Sequence, residues 1–228
     1  MRDLGLIAVV GAGRLGTALA AALRSAGLAV SGPFRRGESP PSGVAVVLLC
    51  VPDVAIGEAA EAQPWGPLVG HCSGATTLAP LAGHRAFSLH PLMTVPRLGT
   101  TDFAGASAAV AGHPVARWLA EALGMKPIEV ADEDRPAYHA AAAMASNFLV
   151  TLEAAAERVA STAGVGRADL VPLVRATVDN WARDGAEALT GPIARGDSQT
   201  VARHREALRA RTPDLLALYD ALAEVTSR

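Results

Sequence analysis

Apolar and polar positions fall into blocks whose period changes once, near residue 131. Before that point, short apolar runs rich in β-branched residues are separated by glycine, proline and polar turns. That pattern marks buried strands alternating with helices. Leu6–Val10, Leu28–Ser31, Val44–Val51, Pro67–His71, Ala86–Leu89, Ser107–Ala111 and Pro127–Val130 are the predicted strands. Val44–Val51 is apolar on both faces, as a central parallel strand requires. Predicted helices cover Thr17–Gly27, a stretch opening at Pro52 with Asp53 as its cap, Leu78–Leu81 and His113–Leu123. Gly37–Gly43 and Thr94–Gly105 read as loops.

Beyond residue 131 the period is helical throughout. Arg135–Ala163 predicts one uninterrupted helix of about seven turns, opened by Asp132, Glu133 and Asp134 at its positive end. Asp169 is placed to cap a helix over Leu170–Leu189, and Asp197 to cap a last helical region that Pro213 breaks. The predicted organisation is therefore an α/β domain over 1–131 and an all-helical domain over 132–228.

The first strand runs into Gly11-Ala12-Gly13-Arg14-Leu15-Gly16, and a helix follows. Strand, glycine turn and helix is the context a dinucleotide fingerprint requires. Gly11 permits the tight turn, Gly13 lets backbone approach a pyrophosphate, and Gly16 permits close helix–strand packing. The helix N-terminus would hold the anion. The second predicted strand is followed by no acidic residue suited to ribose hydroxyls; Arg35 and Arg36 stand there instead, a pair suited to a 2′-phosphate. NADP is therefore expected over NAD, the alternative being that both arginines line a solvated loop. Between the second and third strands only about a dozen loop residues remain, too few for a helical crossover. The fold class is a trimmed doubly wound, Rossmann-like parallel sheet followed by a helical domain.

Composition narrows the function. The 228 residues are 50% hydrophobic and 18% charged with a formal net charge of −2, which describes a globular chain with no electrostatic case for nucleic acid. No apolar run reaches the roughly 18 residues of a membrane span. The opening Met1-Arg2-Asp3 passes directly into the first strand, so no secretory leader is expected and a cytoplasmic location is. Cys50 and Cys72 sit in apolar runs and read as reduced, buried thiols. Lys126 is the only lysine, so a lysine-based mechanism has one candidate.

Two histidines, His71 and His90, fall at predicted strand ends, where open α/β sheets bind ligands. Together with Cys72 they lack metal-ligand spacing, and no metal is expected. On the first long helix, His139, Ala143, Ser146, Asn147 and Val150 share one face, suited either to a ligand or to a close helix–helix contact.

These stretches together resemble the superfamily of 6-phosphogluconate dehydrogenase-like oxidoreductases, which includes pyrroline-5-carboxylate reductase. Within it, the chain is similar to a family joining a Rossmann-like NADP-binding domain to a helical domain of unknown function. The resemblance rests on GAGRLG (Gly11–Gly16), VPDVAI (Val51–Ile56), HCSGA (His71–Ala75), HPLMTV (His90–Val95), YHAAAAMASN (Tyr138–Asn147) and TGPIARGDSQTVARH (Thr190–His204). It implies a homodimer built through the helical domain and a site in the cleft between domains. Val51, Pro52 and Ser73 join the glycine turn and Arg35 and Arg36 as expected cofactor contacts.

The leading expectation is an NADP-dependent oxidoreductase moving a hydride to or from a small carboxylate-bearing carbonyl or imine. The nicotinamide would lie near Ser73 and His90. His139 would donate the proton, Ser146 and Asn147 would polarise the reacting group, and Arg195, its loop held by Asp197, would bind the carboxylate. His90 is the alternative acid, in a setting similar to prephenate and arogenate dehydrogenases. A non-catalytic NADP(H) sensor or assembly protein is the other alternative.

Overall fold

The computed structural model describes residues 4–97 and 101–227. The expectations for Met1–Asp3, and for the loop where it crosses Leu98–Thr100, lie outside them. The chain forms two compact units, Met1–Met144 and Ala145–Arg228.

The first unit is built on a seven-stranded sheet in the order β2-β1-β3-β4-β5-β6-β7. Its strands are β1 Ile7–Val10, β2 Val30–Phe34, β3 Val46–Leu49, β4 Leu68–His71, β5 Arg85–Leu92, β6 Ser107–Gly112 and β7 Lys126–Glu129. Neighbours are parallel from β2 through β5, and β6 pairs parallel with β7. β5 and β6 alone run antiparallel, so the sheet is mixed. Val46 and Leu48 face one core while Val47 and Leu49 face the other, which is why β3 reads as a continuous apolar run.

Helices α1 (Arg14–Ser25) and α3 (Val115–Ala122) cover the first face through Leu19, Leu23, Val115 and Leu119. Helix α2 (Ile56–Glu61) and the short turn Ala79–Leu81 cover the other through Ile56, Ala60 and Leu81. The sheet is trimmed as expected: β2 lies at its edge, and the chain from Phe34 to Val46 carries neither helix nor strand.

Four local expectations are corrected. The second strand begins at Val30 and runs to Phe34, because an edge position tolerates Pro33, which has no N–H to donate. β5 continues past Leu89 to Leu92, because antiparallel β6 supplies partners beyond the point where β4 stops. Asp53 does not cap a helix; its carboxylate accepts the Ser73 hydroxyl at 2.7 Å. Asp169 is not a cap residue either. Its helix starts at Arg167, and the Asp169 carboxylate reaches back to accept the Gly166 amide at 2.9 Å.

The long helix predicted over Arg135–Ala163 is interrupted. It consists of α4 (Arg135–Ala143), a π-helical turn over Met144–Phe148 and α5 (Leu149–Ser161). A π-turn inserts a residue into the helical register, so the expected single face from His139 to Val150 is broken inside it. The acids before α4 form their own short turn over Asp132–Asp134.

In the second unit, α5 is followed by α6 (Arg167–Asp184), α7 (Ser198–Arg211) and α8 (Leu216–Thr226). Among its described residues only Leu208 and Thr212 are buried. Large apolar side chains stand exposed instead, among them Phe148, Val150, Leu173, Trp181 and Val225. Among the described residues, no helix is long and apolar enough to cross a membrane.

Candidate functional site

The glycine turn has the geometry its spacing predicts. Gly11 has φ +108°, and a Cβ there would stand 2.2 Å from the Cys50 carbonyl oxygen. At Gly16 a Cβ would stand 1.9 Å from the Gly11 carbonyl oxygen. Both positions thus require glycine for backbone packing. Gly13 differs, since a Cβ there would meet nothing within 4 Å. Among the described residues, the turn is open on the side of Gly13.

The first intrahelical bond of α1 runs from the Thr17 amide to the Gly13 carbonyl, which leaves the preceding amides of the first turn without helical partners. No acidic residue offsets the positive end of the helix. Arg35 and Arg36 are exposed just after β2. The Arg35 amide donates to Glu38 at 2.7 Å, and neither guanidinium has a partner among the described residues. Val51 and Pro52 follow β3 beside the turn, with Val51 Cγ1 at 3.3 Å from the position of a Gly11 Cβ.

A second constellation sits at the ends of β4 and β5. His71, the last residue of β4, is fully buried. Its Nδ1 accepts the Ser73 amide at 3.2 Å, which places the ring proton on Nε2, 3.0 Å from the Thr77 carbonyl. Burial is the largest cause holding its pKa below the ordinary value, so it stays neutral and pins the loop. Ser73 is nearly saturated. It donates to Asp53 at 2.7 Å and accepts the amides of Ala75 and Thr76 at 3.2 and 2.9 Å. Its side chain therefore holds the loop's shape.

That loop brings Gly74 against two imidazoles. A Cβ on Gly74 would lie 2.8 Å from His90 Cε1 and 2.9 Å from His139 Cδ2. The two rings meet edge to face with centroids 6.3 Å apart. His90 lies on the part of β5 that has passed the end of β4. Its Nδ1 is 2.8 Å from the Tyr138 hydroxyl oxygen. Burial first, then the neighbouring His139 and Arg135, push the His90 pKa down to about 4. Burial raises the Tyr138 pKa against the opposing pull of Arg135. At neutral pH both the phenol and the imidazole are uncharged, so the two share a neutral hydrogen bond.

Arg135 underlies this group. It is buried to 1% exposure, donates to the Ser88 hydroxyl at 2.6 Å and to Asp132 at 3.2 Å, and its Nη1 has no partner among the described residues. Sequence reasoning missed Tyr138, Arg135 and Gly74. The available signal was their spacing: Arg135 and Tyr138 are three residues apart on α4 and so share a face, which also carries His139 at its margin.

The candidates Ser146, Asn147, Arg195 and Asp197 belong to the second unit. Ser146 and Asn147 occupy the π-turn, and Asn147 is exposed. Asp197 caps α7 by accepting the Thr200 amide at 3.0 Å, the bond that chiefly lowers its pKa. Its loop closes on itself through Arg195 N to Gly191 O and Asp197 N to Pro192 O. Arg195 is exposed, and its charge acts on the neighbouring Asp197 carboxylate. Lys126 opens the edge strand β7 and is exposed. No group of three or more metal-ligating side chains occurs among the described residues.

Parallel strands whose order reverses at β1, with an open glycine turn at its end, define a Rossmann-like architecture. The chain belongs to the family described as a domain of unknown function (DUF2520), which matches residues 103–226. Among curated proteins nothing matches. Solved structures that share the fold include the following three. A Bacteroides fragilis protein provisionally named an NADP oxidoreductase is 20% identical, with 97% of each chain covered and a TM-score of 0.84. A Thermotoga maritima protein is 24% identical, with 96% of each chain covered and a TM-score of 0.74. A reductive aminase from Aspergillus terreus, in complex with NADPH and ethyl levulinate, is 17% identical over 96% of this chain and 92% of its own, with a TM-score of 0.67.

Proposed function

We propose that this protein is an NADP-dependent oxidoreductase that moves a hydride to or from a small carboxylate-bearing carbonyl or imine. The observation that carries this reading is the open Gly13, flanked by two glycines whose missing Cβ atoms leave room only for backbone. The free amides at the start of α1 would hold a diphosphate, and Arg35 and Arg36 a 2′-phosphate. Val51 and Pro52 would line the nicotinamide half. A nicotinamide cofactor supplies the hydride when bound. The oxidoreductase name of the Bacteroides fragilis protein and the NADPH of the Aspergillus terreus enzyme support the same choice of cofactor.

The roles of the protein's own groups follow from their charge states. His90 is neutral at pH 7, which leaves the part of cationic acid to another group. Tyr138 holds its ring in place through Nδ1. His139, exposed beside it, is the proton donor in this reading. Ser73 and Asp53 keep the loop under the two imidazoles in shape. Asn147 and Ser146 would polarise the reacting group, and Arg195 would grip the carboxylate.

The same proposal includes a homodimer formed through the helical unit. Its support is the near absence of an interior there: helices that bury only Leu208 and Thr212 among their described residues need a further apolar surface to be stable. A non-catalytic NADP(H) sensor is favoured by one observation, the trimmed edge at β2, which narrows the support for an adenosine.

Fluorescence titration with NADPH and NADH, followed by assay against small keto and imino acids, tests the proposal. Tighter binding of NADPH and turnover lost in His139→Ala are expected. Absence of nucleotide binding removes the oxidoreductase and the sensor together, whereas binding without turnover leaves the sensor.

A further inference from the structure

Cys50 and Cys72 directly follow Leu49 and His71, register partners on adjacent parallel strands. Their sulfurs are 3.7 Å apart, and both thiols are free. They are the only cysteines in the chain. The function proposed above uses neither.

We propose that Cys50 and Cys72 form a redox pair that closes to an intrachain disulfide when a peroxide reaches Cys50. Backbone bonds already hold both residues in place, Cys50 N to Val10 O at 2.7 Å and Cys72 N to Leu49 O at 3.2 Å. Adjacent strands lie about 4.8 Å apart, within the roughly 4.4–6.8 Å between Cα atoms that a disulfide spans. Closure then needs side-chain rotation and a small approach of the two strand ends, with no change in pairing.

The two thiols are not equivalent. Cys72 is buried, while Cys50 is half-buried and open to a small oxidant. The Cys72 thiol is pushed well up, first by its hydrogen bond with Cys50 and then by burial. Cys72 therefore keeps its proton, and Cys50 is the attacking sulfur. The Cys50 thiolate displaces one oxygen of hydrogen peroxide, giving a sulfenic acid and hydroxide that takes up a proton to become water. The Cys72 thiol then attacks that sulfur, forming the S–S bond and releasing the sulfenic oxygen as a second water. Sulfur is oxidised, peroxide is reduced, and thiols of the glutathione class reverse the change.

The pair lies directly beneath the glycine turn. The Cys50 carbonyl oxygen lies 2.2 Å from the position of a Gly11 Cβ, and Cys50 Cβ lies 3.1 Å from that of a Gly16 Cβ. There is no slack between Cys50 and the turn, so closure of the pair is felt there.

Reduced full-length protein is treated with hydrogen peroxide and followed by intact mass and by thiol titration after denaturation. The expected result is a monomer lighter by two hydrogens, with both thiols lost together and both restored by dithiothreitol. Cys72→Ser should stop at a sulfenic acid on Cys50 that a dione reagent traps, and Cys50→Ser should leave Cys72 unreacted at the same dose. Oxygen addition at Cys50 with Cys72 still free in the wild type, disulfides only between chains, or no reaction at all would overturn the proposal. None of these readouts uses a nucleotide, so their outcome is separate from that of the oxidoreductase reading.

Discussion

The hydroxyl oxygen of Tyr138 lies 2.8 Å from Nδ1 of His90, and the two rings meet edge to face at 86°. Burial raises the pKa of the phenol and lowers that of the imidazole, so both are uncharged at neutral pH. The hydrogen bond thus ties α4 to β5 without an ion pair.

Acid should weaken the fold through His90. Its pKa is pushed down to about 4 in the native state, against about 6.5 when unfolded. Between those values the unfolded chain binds more protons, so stability rises with pH across this window and is lost as pH falls through it. The contribution is at most about 3 kcal/mol. Urea denaturation from pH 4 to 7 should show a steeper pH dependence in the wild type than in His90→Gln, and parallel curves would refute this origin.

Arg135 should tune that titration. Its charge lowers the pKa of both His90 and Tyr138. In Arg135→Met, NMR titration should find the His90 pKa raised toward the ordinary imidazole value, with Arg135→Lys intermediate. Truncating a buried, hydrogen-bonded guanidinium should also cost on the order of 1–3 kcal/mol of stability. An unmoved His90 titration in a folded variant would show that burial and His139 act alone.

The three glycines of the turn should separate by role. Gly16→Ala places a methyl group 1.9 Å from the Gly11 carbonyl oxygen and should destabilise the fold by roughly 1–3 kcal/mol or more. A Cβ at Gly13 would meet no neighbour within 4 Å, so Gly13→Val should melt closer to the wild type than Gly16→Ala while losing nucleotide affinity. Thermal melts beside fluorescence titrations check both, and a Gly13→Val protein that binds NADPH normally would remove the pyrophosphate from that turn.

The exposed apolar helices should associate. Sedimentation should give twice the chain mass for the wild type, and Trp181→Glu with Leu173→Glu should shift it toward the single-chain mass, since both side chains are more than 60% exposed in the isolated chain. A monomeric wild type at micromolar concentration would end the dimer proposal.

Oxidation should reach the turn. If Cys50 and Cys72 close beneath Gly11 and Gly16, oxidised protein should bind NADPH on the order of tenfold more weakly than reduced protein. By the same linkage, bound NADPH should shift the dithiol–disulfide equilibrium toward the dithiol on the order of tenfold, read by redox titration with and without NADPH.

Much of the first unit could be read from residues alone, because strand, turn and helix signals there are local. The apolar run of β3, the glycine turn and the missing crossover after Arg36 each depend on neighbours within a few positions. The errors arose where distant partners decide. β5 outran its apolar pattern because β6 pairs with it antiparallel, and Asp53 turned from a helix N-terminus to Ser73, twenty residues along the chain. Tyr138 and Arg135 were passed over because their roles depend on His90 and Ser88, each more than forty residues away. The π-turn over Met144–Phe148 leaves no mark in propensity, since alanine, serine and asparagine are compatible with an ordinary helix.

Gly74 stands where any other amino acid would drive its first side-chain carbon into both imidazoles. The spacing of the two rings is therefore dictated by naked main chain, whose position is anchored by His71 and Ser73. A lineage could exchange either histidine singly and retain the loop. It could not enlarge residue 74 without prising both rings from their seats at once.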